Sequence, residues 1–160
     1  MGSAYAEGLR LLAGRELSEA QVRERLARRQ FEPAQIDEAV ERLRGSGALD
    51  DLRVATAVAR TEALVRNRGR FRIRRQLAAI GIDDEVAARA LDEVFSAIDE
   101  GALLERALAR RLHGPRATIT AAAEFRRLHQ HLVRLGFDPE AVTRLLKSRA
   151  RREAGTEDDA

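Results

Sequence analysis

One apolar pattern occurs three times in this chain and limits the folds that the chain can adopt. In each copy, a leucine follows an apolar residue by four positions and precedes a bulky apolar residue by five. The copies are Val22, Leu26 and Phe31; Ile73, Leu77 and Ile82; and Leu128, Leu132 and Phe137. Successive leucines are 51 and 55 residues apart, a period typical of helical arrays whose units bury apolar faces against their neighbours. We therefore expect an all-α repeat protein that functions through its outer surface rather than an enclosed pocket.

Residues that start or end helices divide the chain into nine predicted helices, three in each repeat. Ser18 with Gln21 has the form of a capping box, which opens a helix. Pro33 fits the first turn of the following helix, and Gly45-Ser46-Gly47 ends the first repeat. Nothing in the sequence indicates a strand, so the predicted fold is three tandem three-helix repeats.

The fourth predicted helix begins after Asp50, a good N-cap residue, and continues to about Arg66. Helical spacing predicts that its inner face carries Val54, Val58 and Val65.

The leucine in each copy, called the anchoring leucine below, is followed four positions later by a residue that is a candidate for the left-handed end of a helix. This residue is Gly81 in the second repeat and Gly136 in the third. Its counterpart in the first repeat is Gln30, which must make that turn without glycine or with another geometry. In the third repeat, Gly114-Pro115 is predicted to end the first helix and Thr118 to begin the second. These signals predict repeats at residues 1–46, 47–98 and 99–152, and a disordered acidic tail at residues 153–160.

The composition excludes several classes of protein. With 160 residues, 44% of them hydrophobic, the chain can bury a core without metals or disulfides. It has no cysteine, so disulfides and thiolate zinc sites are impossible. No apolar run approaches the roughly 18 residues of a membrane-spanning helix, and the N-terminus does not have the layout of a signal peptide. We expect a cytoplasmic protein that does not associate with membranes.

Catalytic and cofactor sites find little support in the sequence. The three histidines are His113, His129 and His131, and the last two are spaced so that a helix directs them to different sides. No glycine-rich loop resembles a phosphate cradle. We therefore expect a protein that is not an enzyme and has no catalytic residue, no metal site and no cofactor.

Charge is distributed unevenly, although the formal net charge is only +3. Residues 60–77 contain seven arginines and one acid, whereas residues 83–100 contain seven acids and one arginine. Arginine suits bidentate contact with phosphates and carboxylates. The change from a basic stretch to an acidic one predicts two oppositely charged faces within the second repeat.

The densest basic stretch, residues 66–75, is the strongest candidate for a functional surface and is called the arginine segment below. Its six arginines are Arg66, Arg68, Arg70, Arg72, Arg74 and Arg75. One interpretation is a solvated helix face whose charges pair with the nearby acidic helix. The other is an electropositive stripe at a helix N-terminus, where backbone N–H groups also attract anions. Because only 4% of residues are aromatic, little stacking on bases is expected.

A second candidate surface is the junction Gly47-Ala-Leu-Asp-Asp-Leu-Arg-Val-Ala55. It carries both Asp50 and Asp51, although a helix cap needs only one acid. We expect these two acids and the six arginines of the arginine segment to be the residues that contact a partner or DNA.

The same stretches carry a resemblance to a known family. The junction, the run from Arg68 to Ile82, Leu132-x-x-Leu-Gly-Phe-x-x-Glu140 and the opening Leu11-Leu12-Ala13-x-Arg15-x-x-Ser18 resemble RecX-family proteins, in the same order and over nearly the whole chain. The chain departs from the family at three positions. The family usually has an aromatic residue in place of Ala48, phenylalanine in place of Val54 and glutamate in place of Gln76.

The resemblance implies a bacterial regulator of the RecA recombinase, with roles in DNA repair and the SOS response. Such a protein binds RecA and its filaments on single-stranded DNA and inhibits filament extension, ATP hydrolysis and strand exchange. The resemblance also implies an elongated, curved array that lies in the filament groove. We expect the chain to be a monomer. Direct contact with single- or double-stranded DNA stays open.

Another function is compatible with the residues. Three-helix units often carry helix-turn-helix geometry, so a DNA-binding transcriptional regulator is the main alternative. A passive helical adaptor for another partner is the third option.

Overall fold

The computed structural model describes residues 2–112, 119 and 122–157, and all regular structure in these residues is α-helical. The predicted all-α helical fold is thus confirmed. The nine helices of the described residues are α1 (Ala4–Gly14), α2 (Glu19–Arg28), α3 (Pro33–Gly45), α4 (Asp51–Leu64), α5 (Arg70–Ala79), α6 (Asp84–Ser96), α7 (Glu100–Arg111), α8 (Ala122–Arg134) and α9 (Pro139–Glu157).

The helices belong to two compact units. One unit comprises Met1–Ala59 and Arg74–Val94, and the other comprises Arg60–Ile73 and Phe95–Ala160. They are called the first and second unit below. Helices α4, α5 and α6 contribute residues to both. The boundaries of the three repeats and the elongated, curved shape stay predictions.

The core of the first unit forms where α1, α2 and α3 pack together. Leu26 and Leu43 are fully buried there, and Val22 and Val40 are buried beside them. Gly8 of α1 makes this packing possible, because a Cβ at that position would lie 2.6 Å from Leu43 Cδ1. The apolar spacing that defines the first copy of the repeat is therefore the spacing of its core.

The predicted helix starts are confirmed at three positions. The Ser18 hydroxyl accepts a hydrogen bond from Gln21 N, and the Gln21 side chain accepts one from Ser18 N, which completes the capping box. Pro33 opens α3, and Asp50 Oδ1 accepts a hydrogen bond from Arg53 N at the start of α4. Local capping chemistry thus positions these helices.

The three turns that follow the anchoring leucines share one backbone conformation. Gly81 and Gly136 have φ values of 78° and 96°, as the sequence predicts. Gln30 has a φ of 63°, so the first turn adopts the left-handed conformation without glycine.

The prediction that Val65 lies on the inner face of α4 is wrong. Helix α4 ends at Leu64, and Val65 lies in the turn beyond it with 64% of its surface exposed. The buried face of α4 instead carries small side chains, namely Ala55, Ala59 and Ala63, together with Val54. Val58, predicted to face inward, is half-buried. Small side chains let neighbouring segments approach closely, which a valine stripe would not allow.

Two other predictions concern residues at the edges of the described chain. Helix α9 continues to Glu157, so residues 153–157, predicted as the start of a disordered tail, are helical. Residues 158–160, His113, the predicted helix end at Gly114-Pro115 and the predicted start at Thr118 lie outside the described residues.

Candidate functional site

The backbone at the start of α5 lies against the end of α8, within the second unit. Gly69 N donates a hydrogen bond to Leu135 O at 2.8 Å, and Phe71 N donates one to Gly136 O at 3.1 Å. Gly69 has no room for a side chain, because a Cβ there would lie 2.3 Å from Gly136 O. Two N–H groups that could have attracted an anion at this helix start are therefore already satisfied, which weakens one argument for the anion-binding interpretation.

The first two arginines of the arginine segment pair with one buried acid. Only 4% of the Glu62 surface is exposed, and its two carboxylate oxygens lie 3.2 Å from Arg66 Nη1 and 3.8 Å from Arg68 Nε. Arg66 remains largely exposed, whereas Arg68 is mostly enclosed. Arg68 therefore stabilises the turn before α5, because a buried carboxylate needs a compensating charge.

Arg70 contacts Glu100 and Phe95 within the second unit. Its Nε lies 2.9 Å from Glu100 Oε1, and its guanidinium lies 4.8 Å from the centroid of the Phe95 ring. A cation placed over an aromatic ring is attracted to the negative face of that ring. Arg70 thus has an internal structural role.

Arg74 forms a two-pronged ion pair within the first unit. Its Nε donates to Asp84 Oδ1 at 2.8 Å, and its Nη2 donates to Asp84 Oδ2. The hydrogen bonds from Arg74 lower the pKa of Asp84, and the same contact raises the pKa of Arg74. Because both side chains are exposed to solvent, a competing anion can displace Asp84 at little cost.

Arg72 and Arg75 differ from the other arginines of the segment. Neither forms an ion pair within the described part of the chain, and the Arg75 side chain is exposed. Arg72 Nη1 donates to the main-chain oxygen of Arg134 at 3.3 Å. Their charges are therefore the least neutralised of the six.

Phe71, which was not among the predicted site residues, lies between Arg70 and Arg72. With 57% of its surface exposed, it is one of four large hydrophobic residues with exposed side chains among the described residues. The signal was present in the sequence, because Ile73 and Leu77 face inward on α5 and a residue two positions before Ile73 cannot share that face. An exposed aromatic ring beside arginines is an element of binding surfaces.

The two acids of the junction perform different tasks. Asp50 caps α4, whereas Asp51 Oδ1 accepts a hydrogen bond from Glu19 N at 2.8 Å and so caps the first turn of α2. Burial raises the pKa of the Asp51 carboxyl, an effect that the hydrogen bond from Glu19 N opposes. The pair thus joins two helices of the first unit.

An open groove of about 440 Å³ lies beside this junction. Its charged lining consists of Glu19, Arg44, Asp50, Asp51 and Asp83. Four acids and one arginine give it a negative charge, so it suits a basic partner group. In the described residues no group of acids and histidines has the arrangement of a metal site, and no helix there is long and apolar enough to cross a membrane.

This chain resembles known sequences and structures of RecX proteins and RecX domains. Sequence models of the first and second three-helix domains of RecX match residues 4–43 and 50–91. The regulatory protein RecX of Chromohalobacter salexigens is 35% identical over 85% of this chain and 86% of its own length. The regulatory protein RecX of Prosthecochloris aestuarii is 33% identical over 82% of this chain and 83% of its own length.

Other relatives are longer than this chain, and solved structures show the same fold. The chain spans about half the length of the regulatory protein RecX of Geobacillus kaustophilus, to which it is 30% identical over 89% of its residues. The crystal structure of RecX from Lactobacillus salivarius has a TM-score of 0.71 and 21% identity, covering 91% of this chain and 93% of that one. Because two domain models match half of the chain and a relative is 35% identical over most of both lengths, the chain belongs to the RecX family.

Proposed function

We propose that this chain is a negative regulator of homologous recombination. It binds RecA and RecA filaments on single-stranded DNA in the cytoplasm, and it inhibits filament extension, ATP hydrolysis and strand exchange. The observation that carries the proposal is membership in a family whose named relatives are regulatory proteins.

The charged surfaces supply the contacts for this function. The arginine segment keeps two arginines without carboxylate partners in the described structure, Arg72 and Arg75. Arg66 is also exposed, although it pairs with the buried Glu62, and Arg74 forms an exposed pair with Asp84. An exposed pair contributes little stability, so a polyanionic partner competes readily for Arg74. The acidic groove beside Asp50 and Asp51 suits basic loops of the recombinase.

Inhibition would then follow from occupancy of the filament. A protein bound across filament subunits blocks the addition of the next subunit, or stabilises a filament state that hydrolyses ATP slowly. Several weak contacts act together when geometry permits their simultaneous engagement. No reaction on a substrate is required of the chain.

A test of the arginine segment uses neutral replacements. The triple variant Arg66→Gln, Arg74→Gln and Arg75→Gln should bind RecA filaments much more weakly and inhibit their ATPase poorly, with unchanged helicity. A control variant that removes the same charge elsewhere carries Arg126→Gln, Arg127→Gln and Arg144→Gln, and it should inhibit like the original chain. Equal inhibition by the two triple variants would reject the assignment.

The ATPase assay also separates the alternatives. Increasing amounts of the chain should reduce ATP hydrolysis by RecA on single-stranded DNA. No effect on hydrolysis, combined with tight binding to one duplex sequence without recombinase, would instead indicate a transcriptional regulator.

A further inference from the structure

Basic side chains from distant parts of the sequence meet at the C-terminal end of α8, within the second unit. Arg72 of α5 donates a hydrogen bond to the main-chain oxygen of Arg134, and His131 lies one helical turn before Arg134 on α8. Helix α7 packs on α8 and ends at Arg111. Burial, followed by the nearby charges of Arg111 and Arg134, lowers the pKa of His131, which agrees with this proximity. We call Phe71, Arg72, Arg111, His131 and Arg134 the α8-end surface.

The positive charge of this surface is not neutralised internally. In the portion of the chain that the structure describes, Arg72, Arg111 and Arg134 have no carboxylate partner. Arg66, Arg68 and Arg70, in contrast, pair with Glu62 or Glu100. Like charges that are held together without counter-charges repel one another, and a bound anion relieves that repulsion.

The same surface carries an aromatic ring. Phe71 is 57% exposed, and its backbone N–H is fixed to Gly136 O at the end of α8. Water does not form strong interactions with an apolar ring, whereas a base that stacks on the ring contributes substantially to the free energy of binding. Only an unpaired base can stack in this way, because the bases of a duplex are already stacked on one another.

We infer that the α8-end surface binds single-stranded nucleic acid directly, with phosphates at Arg72 and Arg134 and a base stacked on Phe71. Arg111 and His131 extend the basic region beside these two arginines. The inference deepens the proposed function and rests on it for the role of single-stranded DNA. Cations and an exposed ring in this combination fit a nucleic acid strand better than an acidic protein surface, which has no base to stack.

The test measures direct binding in the absence of recombinase. Fluorescence anisotropy of a labelled oligothymidylate follows its binding to the full chain at several salt concentrations. The Phe71→Leu variant should bind about 5- to 100-fold more weakly, because leucine keeps the apolar surface but cannot stack. Phe71→Tyr should bind like the original chain. Arg134→Gln should weaken binding and reduce the salt dependence by about 0.7 in log–log slope, the contribution of one phosphate contact.

Arg144→Gln is the matched control, since Arg144 lies on α9 and pairs weakly with Glu140. It should leave both affinity and slope unchanged. Circular dichroism establishes that each variant is folded. Equal affinity of the original chain and Phe71→Leu, equal affinity for oligothymidylate and duplex, or no binding of the oligonucleotide would each overturn the inference.

Two further outcomes distinguish this inference from the proposed function. Loss of oligonucleotide binding in the variants without any loss of binding to DNA-free RecA supports a nucleic acid site. Loss of binding to DNA-free RecA without loss of oligonucleotide binding would show that the surface contacts protein, and it would overturn the inference. If the original chain inhibits the RecA ATPase but does not bind oligothymidylate, the inference fails while the proposed function stands. If it binds oligothymidylate but does not inhibit, the proposed function fails.

Discussion

Gly69 and Gly136 lie in direct backbone contact, and neither has room for a side chain. A Cβ on Gly69 would lie 2.3 Å from Gly136 O, and a Cβ on Gly136 would lie 2.4 Å from Arg72 N. Gly136 also has a φ of 96°, which L-residues rarely adopt. This contact connects the start of α5 to the end of α8, so the α8-end surface of the second unit depends on it.

Replacing Gly136 with alanine should therefore destabilise the protein by at least about 2 kcal/mol, from backbone strain and the collision with Arg72 together. Urea unfolding followed by circular dichroism measures this loss. Gly45→Ala is the matched control, because a Cβ at Gly45 meets no atom within 4 Å. Equal stability of the two variants would contradict the described contact.

The turn at Gln30 offers a change that should stabilise the chain. Gln30 has a φ of 63°, where a residue with a Cβ is strained and glycine is not. Gln30→Gly should raise the free energy of unfolding by about 0.5–1 kcal/mol, the relief of strain less the greater flexibility of glycine when unfolded. Gln30→Ala should not stabilise, since alanine keeps the Cβ. Denaturant titration of both variants provides the comparison, and a less stable Gln30→Gly variant would disprove the expectation.

Asp50 serves as a helix cap and is also a proposed partner contact, and two substitutions separate these roles. Asp50→Ala should cost about 0.5–2 kcal/mol, because Arg53 N loses its acceptor. Asp50→Asn should keep most of the stability, since asparagine caps as well as aspartate. Thermal unfolding and the RecA ATPase assay are measured on both. Full inhibition by Asp50→Asn would show that the Asp50 charge does not contact the partner.

His131 should make stability depend on pH in a known direction. Its burial, with the nearby charges of Arg111 and Arg134, lowers the pKa of His131 below the ordinary 6.5. The unfolded chain therefore takes up the proton first as the pH falls. The free energy of unfolding should decrease as the pH drops through 6.5, and the contribution should level off below the folded-state pKa.

Nuclear magnetic resonance titration of the His131 ring measures this pKa directly. Arg134→Gln should raise it, because one nearby positive charge is removed. His131→Gln should remove the corresponding part of the pH dependence of unfolding. A His131 pKa above 6.5 in the folded chain would be incompatible with the described surroundings.

The sequence predicted those parts of the fold that depend on local chemistry. The caps at Ser18 and Asp50 and the left-handed glycines Gly81 and Gly136 follow from residues close to one another in the chain. The prediction that Val65 lies on the inner face of α4 was wrong because α4 ends before Val65. The end of a helix depends on tertiary packing as well as on local sequence.

The structure of the candidate site depends more than the caps and turns do on contacts between residues that are distant in the sequence. One of the two interpretations of the arginine segment was that its charges pair with the nearby acidic helix, and Arg74 with Asp84 is such a pair. The sequence could not indicate that Arg72 would reach Arg134, 62 positions away, or that Asp51 would cap α2. The helical register of Ile73 indicates that Phe71 is exposed, although the low aromatic content of the chain predicted little stacking on bases.

The most direct test of the proposed function is the rate at which RecA filaments extend on single-stranded DNA in the presence of this chain. Short filaments are formed first, the chain is added, and growth after the addition of more RecA is followed by single-molecule fluorescence. We expect extension to slow as the chain is added and to recover when the Arg66→Gln, Arg74→Gln, Arg75→Gln variant replaces it. Extension at the same rate with and without a saturating amount of the folded chain would contradict the proposed function.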